Sequence, residues 1–231
     1  LSGKNVEFLS ASTMYSEREG NDTVSRYPYK GHIAQVLEDG GDRVKIQFGS
    51  RTGWVSRQDV IQTDKNIDYI RLGWQWVSGS NYSYLESPPQ DSGYNVYAPV
   101  MYGVNEDGLY ILSNFTSAIQ QANAKGYKVW LTIQQFGRNP NLDDSIIAEI
   151  IAVSLAHDVD GINIDFEGMG SENKDNFTAF IEKLYQETLK HNLTLSVDVV
   201  RPANSIYSLC YDRPALAQTS DHLILMAYDK H

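Results

Sequence analysis

The sequence predicts an α/β protein in which a parallel sheet covered by helices follows a small all-β module. Residues 3–62 contain only short β-type segments separated by turns. From residue 66 onward, strand-like apolar segments alternate with helix-like segments, as in parallel sheets with outer helices. Residues 160–167 alternate apolar Ile and Phe with Asn, Asp and Glu, which is the two-residue period of a strand with one polar face.

Composition limits the class of partner. Of the 231 residues 42% are hydrophobic and 21% charged, which suits one large globular domain or two modest ones. The net charge of -10 argues against nucleic acid or anionic membrane, because phosphate binding needs a concentrated basic surface. The sequence has no apolar run of about 18 residues and only Cys210 as a cysteine, so it predicts neither membrane insertion nor an intramolecular disulfide. An uncharged polymer such as a glycan is the expected partner.

The N-terminal module is expected over residues 1–62 as a small barrel. Its strand candidates are 6–9, 32–38, 43–48 and 53–56. The turn at 38–42 predicts a hairpin, because Gly supplies the positive backbone angles that such turns require. Trp54 is expected in the core of the module. For Tyr27 and Tyr29, beside Pro28, core packing and a binding surface both stay open.

The second part of the chain is expected to carry six strands. The candidates are 67–76, 95–102, 128–136, 161–167, 193–200 and 222–228, with helices over 116–125, 146–155 and 177–189 in the gaps between them. Gly126 is a good C-terminal stop for the first helix, and Asp175 is expected to cap the third.

Asp165 and Glu167 form a pair of carboxyl groups on one strand face. Two residues along a strand place them within about 7 Å of each other. Like-charge repulsion and partial burial are expected to raise one pKa, which leaves Glu167 protonated as a general acid beside an ionised Asp165. Two carboxyl groups with separate roles suit glycoside hydrolysis. A hydrogen-bonded polar strand end without chemistry explains the spacing equally well.

Two motifs in the second part also resemble a known family. Residues 160–167 resemble the Asp-x-x-Asp-x-Asp-x-Glu signature of glycoside hydrolase family 18, with Asn163 in place of the second Asp, and residues 226–229 resemble that family's sixth-strand motif. The branch that looks most similar comprises bacterial cell-wall and spore-cortex hydrolases. The resemblance implies a (β/α)8 TIM-type barrel over residues 66–231. Residues 53–55 resemble the closing strand of bacterial SH3-like domains, which implies such a domain over residues 1–62.

The family resemblance also implies roles for individual residues. It implies retaining, substrate-assisted hydrolysis without a protein nucleophile. Glu167 would protonate the glycosidic oxygen, Asp165 would orient the substrate's acetamide, and Tyr228 would donate a hydrogen bond to the acetamide oxygen. Asp160 would be structural. The matched motifs add Asn163, Met226 and Asp229 to the expected substrate-binding set, and the strand-end positions of Trp76, Tyr102 and Gln134 add three more residues.

The carboxyl ends of barrel strands give a wider set of candidates, because active sites gather there. This set adds Trp74, Gln135 and Asp198. No metal and no cofactor is expected, because the five His residues lack metal-ligand spacing and no glycine-rich nucleotide loop occurs.

The leading interpretation is a bacterial glycosidase, secreted or associated with the cell wall or spore, that cleaves N-acetylglucosamine-containing glycan of peptidoglycan or cortex. The alternatives are a chitinase, a non-catalytic carbohydrate-binding protein on the same scaffold, and a purely structural module. Residues 66–231 offer six strands where a full barrel has eight. The expectation is therefore a barrel truncated after strand six, inactive as it stands or self-associating through its open edges.

Overall fold

The structure is a computed structural model of the chain, and it describes residues 1–24, 28, 30–48, 51–65, 70–77, 87 and 93–228. The chain divides into two compact units, Leu1–Tyr69 and Ile70–His231. Each unit has its own sheet and its own apolar cluster. The polar connector expected at 63–66 lies just before this division.

The first unit is a five-stranded antiparallel sheet of order β4-β3-β2-β1-β5. Its strands are β1 (Asn5–Phe8), β2 (Ile33–Asp39), β3 (Arg43–Phe48), β4 (Arg51–Ser56) and β5 (Val60–Thr63). The expected hairpin joins β2 to β3, where Gly41 has φ of 91° and so adopts a conformation that costs glycine little. Trp54 is buried, as predicted. Tyr27 and Tyr29 lie outside the described residues, and the SH3-like assignment of this unit stays a prediction.

The second unit is built on a curled parallel sheet of six strands, with order β12-β11-β10-β9-β7-β6. The strands are β6 (Leu72–Gln75), β7 (Val96–Asn105), β9 (Lys128–Phe136), β10 (Gly161–Glu167), β11 (Thr194–Val200) and β12 (His222–Met226). A short strand that the sequence did not predict, β8 (Gly108–Ile111), pairs antiparallel with the end of β7. The sheet is a half-barrel, so the predicted α/β class is confirmed. This half-barrel of six parallel strands is consistent with the TIM-type barrel truncated after strand six that the sequence predicts.

Helices cover the outer face of this sheet. They are α1 (Thr116–Ala124), α2 (Asp144–Ala156), α3 (Lys174–Lys190) and the short α4 (Ile206–Leu209) and α5 (Arg213–Leu216). The apolar face of β10 packs on α3, where the Phe166 ring lies 6.0 Å from Phe177 and 5.8 Å from Phe180 between centroids. In the described ranges, no helix combines the length and apolar character that crossing a membrane requires.

The start of α3 differs from its prediction. Asn173 is the N-cap residue, whereas Asp175 lies inside the first turn. Asp175 therefore does not cap the helix, although a negative charge in the first turn is still favourable beside the positive end of the helix dipole.

Candidate active site

The inward faces of the parallel strands stack polar side chains in layers. The strand register pairs Asn163 of β10 with Thr132 of β9 and with Ser196 of β11. One layer further along, Asp165 pairs with Gln134. Because side chains alternate along a strand, Asn163, Asp165 and Glu167 share this face, with Glu167 at the carboxyl end.

A cavity of about 310 Å³ lies over this polar face. It is walled by aromatic rings, of which Trp76, Phe136 and Tyr228 are 62%, 65% and 65% exposed. The ring of Tyr228 meets Trp74 edge-on at 6.2 Å between centroids. The complete lining is Trp74, Trp76, Val100, Gln134, Phe136, Asp165, Glu167, Asp198, Met226 and Tyr228.

Asn163 is fully buried beneath the cavity and joins four neighbouring side chains. Its Oδ1 accepts hydrogen bonds from Trp74 Nε1 at 2.9 Å and Thr132 Oγ1 at 3.1 Å. Its Nδ2 donates to Ser196 Oγ at 3.0 Å and to Asp198 Oδ1 at 2.9 Å. Asn163 therefore acts below the cavity and does not line it, in contrast to the predicted role in substrate binding.

Asp165 is buried, and one of its oxygens has no protein partner. Gln134 Nε2 donates to Asp165 Oδ2 at 2.8 Å, whereas Oδ1 is buried without a hydrogen bond. Burial raises the pKa of Asp165, and the hydrogen bond from Gln134 opposes this only in part. The expectation of an ionised Asp165 is thus opposed by burial, and its Oδ1 is left without a hydrogen bond.

Asp198 is a third carboxyl group in the same place and is 2% exposed. Burial raises its pKa well above the ordinary value, and the negative charge of Asp165 raises it further. The prediction of a pair of carboxyl groups, Asp165 and Glu167, therefore left out a third one, Asp198. The strand-end rule named Asp198 as a candidate, but the local sequence pattern did not pair it with Asp165 on the neighbouring strand β10.

The backbone around Glu167 is held on both sides. The Tyr211 hydroxyl donates to Phe166 O at 2.7 Å, and Gly137 N donates to Glu167 O at 3.0 Å. Gly168 follows with φ of 72°, a conformation that side-chain-bearing residues rarely adopt. Tyr211 gave no signal in the sequence, because it lies in an irregular segment between two short helices.

The structure brings eight of the predicted candidates together at the cavity: Trp74, Trp76, Gln134, Asp165, Glu167, Asp198, Met226 and Tyr228. Asp229 lies outside the described residues. Phe136 was missed, although it ends a predicted strand and pairs with Glu167.

Tyr102 is not brought to the cavity. It lies in the apolar cluster on the helix side, where its hydroxyl is 2.9 Å from His157 Nε2. The physical reason is a register shift between Val100 and Tyr102, which pairs Tyr102 with the outward-facing Ile133. A bulge of this kind leaves no clear trace in the sequence.

Asp160 has the structural role expected of it. Its Oδ2 accepts a hydrogen bond from Val129 N at 2.7 Å and so ties the start of β10 to β9. Over the part of the chain that the structure describes, no three His, Cys, Asp or Glu side chains are placed to hold a metal ion.

The second unit is thus a parallel half-barrel with carboxyl groups and exposed aromatic rings at the carboxyl ends of its strands. Residues 132–231 match the family model described as Glycosyl hydrolases family 18. These residues of the second unit are therefore similar to family 18 glycosyl hydrolases, and they include the motifs at 160–167 and 226–229 that resemble that family.

Similar proteins come from bacterial and other sources. The chain is 22% identical over 175 residues to the uncharacterized glycosylase YvbX of Bacillus subtilis, covering 68% of this chain and 51% of YvbX. The fold matches a chitinase of Chromobacterium violaceum with a TM-score of 0.59 at 20% identity, covering 70% of this chain and 56% of that one. It matches the spore cortex-lytic enzyme SleL of Bacillus megaterium with a TM-score of 0.52 at 17% identity, covering 74% and 45%. The chain thus spans about half the length of each.

Proposed function

We propose that the second unit is a glycosidase that hydrolyses N-acetylglucosamine-containing glycan, with Glu167 as the general acid. The observation that carries the proposal is the placement of Glu167 and Asp165 in one aromatic-walled cavity, within the stretch that matches family 18. This arrangement offers a proton donor, a negative charge and surfaces for sugar rings in a single cleft.

The chemistry follows the substrate-assisted route, in which the substrate's own acetamide replaces a protein nucleophile. Glu167 gives its proton to the glycosidic oxygen as the bond to the anomeric carbon breaks. The acetamide carbonyl oxygen attacks that carbon and forms a cyclic oxazolinium ion. Water then attacks the anomeric carbon from the face that the leaving group vacated, opposite the acetamide oxygen, and gives a proton to Glu167. The oxazolinium ring opens, and the anomeric configuration is retained.

Asp165 and Tyr228 position the acetamide in this proposal. The buried Oδ1 of Asp165 has no partner in the protein and suits the acetamide N–H, whose positive charge grows as the ring closes. Gln134 holds the other oxygen of Asp165 and so fixes the direction of the carboxyl group. Tyr228 at the cavity wall supplies a hydroxyl donor for the acetamide oxygen.

The exposed aromatic rings supply the sugar-binding surfaces. Trp76 and Phe136 present apolar faces to solvent at the cavity, and such faces pack well against the C–H faces of pyranose rings. Met226 adds a flexible apolar contact. Asp229 is included in the proposed set of sugar-binding residues because of the sixth-strand motif alone.

Peptidoglycan or spore cortex is the leading substrate for two reasons. Asn at the position of Asn163 is usual in the cell-wall and spore-cortex branch that the chain resembles. In addition, SleL, whose fold is similar, is named a spore cortex-lytic enzyme. We place the protein outside the cell or on the wall or spore, with the first unit as an SH3-like module that holds it there. Chitin is the second candidate, because a chitinase shares the fold.

The test measures release of reducing ends from purified peptidoglycan and from chitin oligomers by the wild type and by Glu167→Gln. Glutamine keeps the shape and cannot donate the proton, so turnover should fall by about a thousandfold or more. Glu182→Gln makes the same change on the exposed face of α3 and should leave turnover unchanged.

Turnover of peptidoglycan above chitin, lost in Glu167→Gln alone, supports the leading substrate, and the reverse preference supports a chitinase. Binding of either glycan by calorimetry without any turnover contradicts hydrolysis and favours a carbohydrate-binding protein. Equal turnover by wild type and Glu167→Gln contradicts the assignment of the acid.

A further inference from the structure

Asp198 stands beside Asp165 on the neighbouring strand. The register pairs Ile164 with Val197, so the next residues along the two parallel strands, Asp165 and Asp198, are adjacent. Both side chains face the cavity and both are at least nine-tenths buried. Adjacent strands lie about 4.8 Å apart, which brings the two carboxyl groups into strong electrostatic contact.

Asn163 connects to Asp198 and not to Asp165. Trp74 Nε1 is only a donor, so the Asn163 oxygen must face Trp74 and the Asn163 amide nitrogen must face Asp198. All the hydrogen-bonding positions of the amide are then used, by Trp74, Thr132, Ser196 and Asp198. The family signature has an Asp at the position of Asn163. In this chain a carboxyl group, that of Asp198, lies instead on the neighbouring strand β11.

We propose that Asp198 is a positioning residue that supplies from β11 the second carboxyl group that Asn163 does not provide on β10. This inference rests on the proposed function. Asp165 and Asp198 hold one proton between them, and with the proton on Asp198 the Asp165 carboxylate faces the acetamide. The proton stays within the pair, so the pair keeps a charge of minus one while positive charge develops on the substrate.

The electrostatics of the site agree with this geometry. Burial is the largest cause that raises the pKa of Asp198 well above its ordinary value. The negative charge of Asp165 is the second cause, and the charge of Glu167 acts in the same direction. The hydrogen bonds from Asn163 and Trp74 oppose these effects. Two like charges so close and so buried do not ionise independently, which is the behaviour of a shared proton.

The decisive variants are Asp198→Asn and the exchange Asn163→Asp with Asp198→Asn. Asparagine at 198 can still accept the hydrogen bond from Asn163, so a merely structural role predicts no loss. The proposal predicts that kcat falls by about tenfold or more while KM changes little. The exchange restores a carboxyl group beside Asp165, keeps the bonds donated by Trp74 and Thr132, and reverses the bond between residues 163 and 198. It should recover kcat to within about threefold of wild type.

Asp221→Asn is the matched control. It makes the same chemical change at the opposite end of β11, where Asp221 Oδ2 accepts from Leu195 N, and it should leave kcat and its pH profile unchanged. Wild-type kcat in Asp198→Asn, or an exchange variant as weak as Asp198→Asn, overturns the proposal.

A carbon-13 NMR titration of the Asp carboxyl groups of the wild type tests the pair without turnover and without relying on a variant that folds. Two coupled steps, one of them well above the other Asp residues, are expected. Independent titration of all Asp residues at ordinary values overturns the proposal. If the wild type turns over no glycan, the proposed function is contradicted, but the coupling of Asp165 and Asp198 is not. The titration still decides whether these two carboxyl groups share a proton.

Discussion

Among single residues, Gln134 has a direct influence on the charge of Asp165, because it donates a hydrogen bond to that carboxyl group. Its hydrogen bond is the described contact that favours the ionised form of a carboxyl group whose pKa burial otherwise raises. The balance at this residue therefore sets the lowest pH at which the site carries its negative charge.

Replacing Gln134 by leucine should raise the pKa of Asp165 further, because the ionised form loses its hydrogen bond while burial remains. If catalysis requires ionised Asp165, the acidic limb of the pH dependence of kcat/KM moves to higher pH. Gln186→Leu on the exposed side of α3 is the control and should leave the limb in place. An acidic limb at the same pH in Gln134→Leu and wild type contradicts the role of this hydrogen bond.

Most candidate site residues could be predicted from the sequence. The strand-end rule and the family motif need only the two-residue period, which shows which side chains share one face of a strand. Glu167, Asp165, Trp76 and Tyr228 were found in this way. Tyr102 followed the same rule and failed, because one register shift reverses the facing of every later side chain in β7. The hydrogen bond from Asn163 to Asp198 depends on strands 35 residues apart and could not be read from local pattern.

Helix α3 is the element that supports the strand with the carboxyl groups. One side of α3 buries Phe177, Phe180, Ile181 and Leu184, and its aromatic rings pack on Phe166 between Asp165 and Glu167. The helical spacing of these apolar residues made α3 predictable, whereas α4 and α5 have four residues each and are too short for a period to show.

The same substitution at two places on α3 separates burial from helix propensity. Leu184 is fully buried and Leu189 is 55% exposed. Leu184→Ala should lower the free energy of unfolding by about 2–5 kcal/mol through lost burial and a residual cavity. Leu189→Ala should change it by less than about 0.5 kcal/mol. Urea unfolding followed by circular dichroism measures both, and equal effects contradict the packing described here.

Buried carboxyl groups influence the stability of the whole molecule. A carboxyl group whose pKa is raised by folding binds its proton more tightly in the folded state. Its contribution is fully present below the unfolded pKa of about 3.9 and is lost as pH rises through the folded pKa. Asp165 and Asp198 both act in this direction. Burial lowers the pKa of His157, which acts in the opposite direction as pH falls below about 6.5.

The free energy of unfolding of wild type should therefore contain a part that falls as pH rises above about 4. Asp198→Asn removes one source of this fall and leaves His157 unchanged. The variant should gain stability relative to wild type as pH rises, by about 1 kcal/mol. Urea unfolding of both proteins at several pH values provides the measurement, and a constant difference between them contradicts the raised pKa of Asp198.

The hydrogen bond between Asn163 and Asp198 also constrains how the sequence can evolve. A single change of Asn163 to Asp places two carboxyl groups face to face in a buried site, and a single change of Asp198 to Asn removes the carboxyl group that stands beside Asp165. Both intermediates are expected to lose activity, whereas the double exchange keeps a hydrogen bond between residues 163 and 198. Lineages with either arrangement are thus separated by a fitness valley, and the residue pair at 163 and 198 should vary together among relatives.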